Sequence, residues 1–163
     1  MWVEDPEDLG LTELDEIYHW LTKPDILSKT LRELCDELSV QVLKQDLARA
    51  LSDEQQILDI QESNSLIREV YLLGDGVPWI YARVVVPFYT YQKHKLSFDN
   101  LGEHLLGETL LYVDPSFTRG EFTYAKVKHQ DDELWSRRSV FTLHGVHLLV
   151  TESFMPQIPK HKR

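Results

Sequence analysis

The sequence predicts an α+β fold: an antiparallel sheet of about six strands that follows two N-terminal helices. Three observations carry this. The first ~50 residues read as helical, with leucines at three- and four-residue spacing as on the buried stripe of a helix. From Ser65 onward, alternating apolar runs are separated by turn-forming residues. Those separations are of hairpin length, too short for the helical crossovers of a parallel nucleotide-binding fold.

Leu11, Leu14, Ile17, Tyr18 and Leu21 form the first stripe. Thr12, followed by Glu13, Asp15 and Glu16, places acids near a helix start, where the helix dipole favours them. Pro24 interrupts the pattern because it cannot continue the hydrogen-bond ladder. A second helix is expected from about Asp25, with Leu27, Leu31, Leu34 and Leu38 on one face. Ser39 to Lys44 alternates as a short strand would, and Asp46 to Asp59 reads as a loop with a helical turn. Leu66–Leu73 and Trp79–Pro87 flank Gly74-Asp75-Gly76-Val77-Pro78 and predict a hairpin. A short helix is expected over Lys95–Glu103. Further strands are expected at Thr109–Val113, Phe122–Lys128 and Leu134–Leu143, the last turning through His144-Gly145 into Val146–Met155.

At 163 residues the chain fits one domain, residues 1–163. A net charge of −10 argues against a nucleic-acid partner, which would call for a basic stripe, but leaves room for a small anion in a local cationic pocket. Cys35 is the only cysteine, so no internal disulfide can form. No apolar run approaches the ~20 residues of a membrane helix, and the acidic N-terminus lacks a secretory apolar segment. A cytoplasmic protein is the expectation.

Two charges fall out of register. Every second residue from Val146 reads Val146, Leu148, Val150, Glu152, Phe154; from Leu66 the same count reads Leu66, Arg68, Val70, Leu72. Strand side chains alternate between faces, so Glu152 and Arg68 share faces with aliphatic neighbours. A buried charge is costly unless something of opposite sign meets it. Arg68 and Glu152 could compensate each other directly, or sit at two ends of a pocket for an anionic ligand with a polar far end; periodicity does not separate the two.

Other constellations are weaker. His144-x-x-His147 spans a turn and has no third ligand at a persuasive spacing, so no metal site is expected. Cys35 lies in a leucine-rich helix as a small core residue would, and no Gly-x-Ser-x-Gly elbow exists. Gly74-Asp75-Gly76 leads into a strand, whereas a phosphate loop needs a helix N-terminus behind it. Arg83 shares a face with Trp79, Tyr81 and Val85, which suits stacking or a structural ion pair. For Arg137 and Arg138 a solvated strand entrance, or pairs with Asp131, Asp132 or Glu133, is favoured because exposed charges are the rule.

Six segments in order resemble the chorismate pyruvate-lyase family: Leu66-Ile67-Arg68-Glu69-Val70-Tyr71-Leu72-Leu73, Asp75-Gly76-Val77-Pro78-Trp79, Arg83-Val84-Val85-Val86-Pro87, Leu105-Leu106-Gly107, Leu134-Trp135-Ser136-Arg137-Arg138-Ser139, and Leu148-Leu149-Val150-Thr151-Glu152-Ser153-Phe154-Met155-Pro156. The resemblance covers most of residues 65–156 and continues weakly through Trp20-Leu21 and Asp25-Ile26-Leu27-Ser28-Lys29. It implies N-terminal helices folded over the sheet as flaps that enclose the ligand. It also implies conversion of chorismate to 4-hydroxybenzoate and pyruvate, the first committed step of ubiquinone biosynthesis. Aromatisation of the ring supplies the driving force for that reaction, so no cofactor is expected, and a monomer is the expectation. The family arginine that grips the ring carboxylate falls on Arg68, and the glutamate that meets the ring hydroxyl falls on Glu152. A leucine that contacts ligand through its backbone falls on Leu106. The family's flap methionine falls on Leu27, a departure that nearly conserves volume. Arg83, Arg137 or Arg138 could receive the second carboxylate of chorismate, and the sequence does not choose among them. Two other readings are a hydroxybenzoate-binding module without catalysis, and a lyase that yields 3-hydroxybenzoate.

Overall fold

A computed structural model describes residues 1–24, 27–61, 64–111 and 115–160. A 3₁₀ turn at Pro6–Leu9 precedes α1 (Glu16–Thr22) and α2 (Leu27–Glu33). Then come β1 (Leu38–Arg49), α3 (Ser52–Leu58), β2 (Asn64–Gly74), β3 (Val77–Pro87), α4 (Phe88–Lys93) and α5 (Lys95–Asp99). A π-helical turn at Gly107–Leu111 leads to β4 (Thr118–Arg119), β5 (Thr123–His129), β6 (Asp132–Leu143) and β7 (Val146–Phe154). The seven strands form one sheet in the order β1-β2-β3-β7-β6, and β4 and β5 share the far side of β6. Every ladder is antiparallel, so the α+β architecture stands as predicted.

Hairpin chemistry sets the central registers. Asp75 and Gly76 both have positive φ (47° and 83°), as do His144 and Gly145 (48° and 80°). Two successive left-handed residues form the turn whose twist matches that of the paired strands. Asp75 does a second job: its carboxylate accepts the Asp36 and Glu37 amides, at 3.0 and 2.8 Å, and so ties this turn to the start of β1.

The sheet divides its residues cleanly. Leu66, Arg68, Val70 and Leu72 of β2 share the inner face with Ala82 and Val84 of β3, Val150 and Glu152 of β7, and Ser139 and Phe141 of β6. Two apolar clusters cover it. One joins Trp20, Leu21, Leu27 and Leu31 of α1 and α2 to Val40, Val70, Leu72 and Phe154; the other joins Phe98, Leu101, Leu106 and Leu111 to Val84, Phe141 and Leu148. The outer face carries Ile67, Val85 and Leu149, capped by Leu58 of α3.

Several elements differ from the sequence reading. β1 does not end near Lys44. Its register shifts between Val42 and Lys44, and the extra Leu43 moves the apolar alternation to the other phase. Asp46–Arg49 is therefore strand, and α3 occupies most of the expected loop. The first helix begins at Glu16, not near Thr12. The Thr12 hydroxyl accepts the Leu14 amide, and such a local bond competes with helix; Leu14 is left 85% exposed. The onset of the second helix near Asp25 lies outside the described residues, and Leu38 belongs to β1. The helix from Lys95 ends at Asp99. Thr109–Leu111 is π-helical instead of strand, with the Thr109 hydroxyl donating to the Leu105 carbonyl at 2.8 Å; Tyr112 and Val113 lie outside the described residues. Among the described residues no helix is long and apolar enough to cross a membrane.

The Trp79 ring lies flat against Gly74, where an added Cβ would overlap three of its ring carbons. Trp79 is buried and has little freedom to retreat. Gly74→Ala is therefore expected to cost about 1–3 kcal/mol by overpacking, read as a lowered urea midpoint at unchanged m-value. A loss under ~0.5 kcal/mol, the scale of a neutral surface change, would contradict this packing.

Candidate active site

Arg68 is 3% exposed, on the central part of β2. Its Nη1 donates to Gln45 Oε1 at 2.6 Å, and its Nη2 donates to the Gly102 and His104 carbonyls at 2.9 and 3.0 Å. These three bonds use three of the five guanidinium hydrogens, and all the acceptors are neutral. Burial pushes the Arg68 pKa down from its ordinary value. Neutral acceptors hold the side chain in place but leave its charge unmatched.

Glu152 lies one inner-face row further along and two strands over, opposite Ala82 of β3 and Arg137 of β6. Strand spacing of about 4.8 Å and a rise of about 3.4 Å per residue put the Arg68 and Glu152 Cα atoms roughly 12 Å apart. Glu152 Oε1 accepts from Arg137 Nε at 3.0 Å. Arg137, 2% exposed, also donates from Nη1 to the Leu21 and Lys23 carbonyls at 3.3 and 2.6 Å. Arg68 and Glu152 therefore have separate partners, and the direct ion pair that periodicity left open does not form.

Both line one cavity. Its walls are mostly apolar, among them Val70, Ala82, Val84, Leu111, Phe141 and Val150, and its lining also includes Leu27 and Leu106. All four residues singled out from the sequence thus meet in one place. The interior volume is about 90 Å³, several times the roughly 10–15 Å³ that one water needs. Small Ala82, between Val70 and Glu152 in the cross-strand row, keeps the floor low.

Two segments close the cavity from above: α2 through Leu27 and Ser28, and the stretch from His104 to Leu111. Arg32 of α2 and Glu108 of the π-helical turn join them by two bonds, at 2.9 and 2.6 Å. The hydrogen bonds from Arg32 hold the Glu108 carboxyl below the ordinary carboxylate range. Both side chains are partly exposed, so this latch contributes at most about 1 kcal/mol.

The other arginines need reassignment. Arg83 is on the outer face, bonded twice to Glu54 at 2.8 Å and lying 3.5 Å from Glu69; it is the structural ion pair the sequence allowed. Arg137 and Arg138 are buried, not a solvated entrance, and neither pairs with Asp131, Asp132 or Glu133. Arg138 faces outward, bonds Asp53 at 2.7 Å and lies over the Trp2 ring. His144 forms a turn, and His147 Nδ1 is 2.9 Å from the Thr142 hydroxyl.

Sequence reasoning missed two residues here. Gln45, the closest partner of Arg68, was hidden by the β1 bulge. Arg119 lines the cavity from a two-residue strand too short to show any periodicity.

The pattern of residues that defines the chorismate lyase family matches this chain over residues 1–163. The chain belongs to the chorismate lyase family. It is 34% identical over 148 residues to a probable chorismate pyruvate-lyase of Photobacterium profundum, covering 89% of this chain and 81% of that one. It is 34% identical over 142 residues to the chorismate pyruvate-lyase of Cronobacter sakazakii, covering 86% and 80%. Among solved structures, the C-terminal domain of the histidine utilization repressor from Pseudomonas syringae superposes with a TM-score of 0.61 at 11% identity, over 78% of this chain and 97% of that one. A GntR-family transcriptional regulator from Enterococcus faecalis gives 0.56 at 16%, over 77% and 99%. At such identities these regulators share the fold alone.

In this lyase-family chain the Arg137–Glu152 pair also anchors the end of α1 through the Leu21 and Lys23 carbonyls. Arg137→Met would strand the carboxylate and both carbonyls, for an expected loss of about 3–5 kcal/mol in chemical unfolding. A loss under ~1 kcal/mol would mean that the pair is not structural.

Proposed function

We propose that this chain is a chorismate pyruvate-lyase that releases 4-hydroxybenzoate and pyruvate, a cytoplasmic, monomeric enzyme at the first committed step of ubiquinone biosynthesis. The observation that carries the reading is Arg68: a buried guanidinium with no carboxylate partner among the described residues, lining a largely apolar cavity in a chain of this family.

Chorismate carries a ring carboxylate, a ring hydroxyl and an enolpyruvyl ether with its own carboxylate. In the lysis, the bond from ring carbon to ether oxygen breaks, and the ring carbon that bears the hydroxyl loses its hydrogen. The electron pair of that C–H bond completes the aromatic ring, and the departing enolpyruvate takes up a proton to become pyruvate. Aromatisation supplies the driving force, so the protein has to hold the ring in a reactive geometry and favour charge on the leaving group. In this reading Arg68 holds the ring carboxylate through its two remaining N–H groups. Glu152, steadied by Arg137, accepts the ring hydroxyl. Leu27 and Leu106 close the apolar walls and keep water away from the ring.

Arg68 and Glu152 line one cavity two strands apart, which suits a ring with its carboxylate and hydroxyl para to each other, as in chorismate and in 4-hydroxybenzoate; product identity separates this reading from a lyase that yields 3-hydroxybenzoate. The fold shared with transcription regulators supports the competing reading of a binding module.

Purified protein incubated with chorismate is expected to form 4-hydroxybenzoate faster than the uncatalysed control, resolved by chromatography from the 3-isomer. Arg68→Ala is expected to weaken 4-hydroxybenzoate binding by about 10- to 100-fold, since a charge-assisted hydrogen bond is lost. Tight 4-hydroxybenzoate binding without turnover would favour the module. Unchanged product affinity in the variant would place the carboxylate elsewhere.

A further inference from the structure

We propose that Arg119 receives the enolpyruvyl carboxylate of the substrate and so separates substrate from product. The assignment rests on the lyase reading above and deepens it. None of the three arginines that the sequence offered for this carboxylate is free for it. Arg83 and Arg138 face away from the cavity and are bonded to Glu54 and Asp53, and Arg137 is committed to Glu152 and two carbonyls.

Arg119 is placed for the task. It lines the same cavity as Arg68 and Glu152. Its Nη1 donates to the Pro24 carbonyl at 3.0 Å, and its guanidinium carbon lies 4.2 Å from the centre of the Phe122 ring. Arg137 lies 4.1 Å from the centre of that same ring. Two guanidinium groups therefore share one aromatic ring, and of the two only Arg137 has a carboxylate among the described residues. Among the described residues Arg119 makes no ion pair. An anion at Arg119 would offset the second of the two positive charges that flank this ring.

The location also suits the substrate's shape. Through Phe122 and Arg137, Arg119 stands at the Glu152 end of the cavity, away from the Gln45, Gly102 and His104 groups that hold Arg68. In chorismate the ether carbon adjoins the carbon that carries the hydroxyl. With that hydroxyl on Glu152, the enolpyruvyl arm leaves the ring beside Glu152. Charge balance agrees: once Arg137 offsets Glu152, Arg68 and Arg119 are the two lining arginines without a carboxylate among the described residues, facing a substrate with two carboxylates. The product has one. Departure of pyruvate leaves Arg119 without its anion, while Arg68 keeps its own.

The test is a pair of measurements on Arg119→Gln and Arg119→Lys in the full chain: steady-state turnover of chorismate, and binding of 4-hydroxybenzoate by calorimetry. For Arg119→Gln, kcat/KM is expected to fall about 100-fold, mainly through KM, with product affinity within about twofold of wild type. Arg119→Lys is expected to recover part of the loss, because an ammonium keeps the charge but not the planar fork. Retained product binding also certifies that the variant is folded. Turnover by Arg119→Gln within threefold of wild type would overturn the assignment and leave the lyase reading standing. So would parallel losses of substrate turnover and product binding, which would make Arg119 a structural support. A wild-type protein that makes no 4-hydroxybenzoate would overturn the lyase reading, and this assignment with it.

Discussion

A guanidinium on the apolar face of a sheet, held by neutral acceptors, is the constraint around which this molecule is organised. Arg68 could have been satisfied by a neighbouring carboxylate, as Arg83 is by Glu54 one strand away on the opposite face. Instead it takes an amide oxygen from β1 and two carbonyls from the segment between α5 and the π-helical turn. Those acceptors fix its position without cancelling its charge, which is the condition for a site that binds an anion from solution. They also tether the Gly102–His104 segment over the cavity, so the same three bonds place part of the lid.

The two faces of the sheet treat charge differently. On the outer face, Arg83 and Arg138 are matched by Glu54, Glu69 and Asp53, and Tyr81 bonds Glu69. Burial first, then that bond, pushes the Tyr81 hydroxyl well above its ordinary pKa, which keeps it a neutral donor. The charges named on that face are paired with one another, although the buried Arg138 Nε has no hydrogen-bond partner among the described residues. Among the described residues that line the inner-face cavity, one carboxylate, Glu152, stands with two arginines, Arg68 and Arg119, and it is bonded to a third, Arg137. An acidic chain of net charge −10 thus keeps a cationic interior, and its surface charge says nothing about what the cavity prefers.

The strands that build the site were legible because their periodicity is unbroken. β2 and β7 each place one charge in an aliphatic register, which drew attention to Arg68 and Glu152 before any geometry was known. Whether the two charges met each other was not legible, since alternation reports the face and not the partner; the answer depended on Arg137 and Gln45. Gln45 was hidden because the bulge at Leu43 shifts the alternation by one residue. Thr109–Leu111 misled because aliphatic and β-branched residues suit a strand as well as a tight turn, and only the bond from Thr109 back to Leu105 distinguishes them. Arg119 lies on two residues of strand, too few for any pattern.

The central claim is one of orientation: an aromatic acid lies in the cavity with its carboxylate on Arg68 and its far end on Glu152. A crystal structure of the protein with 4-hydroxybenzoate tests it most directly. The account predicts the carboxylate within hydrogen-bond distance of the Arg68 guanidinium and the phenolic oxygen on the Glu152 carboxylate. A ring bound in the reverse sense, or bound outside this cavity with Arg68 still held only by its neutral acceptors, would contradict it.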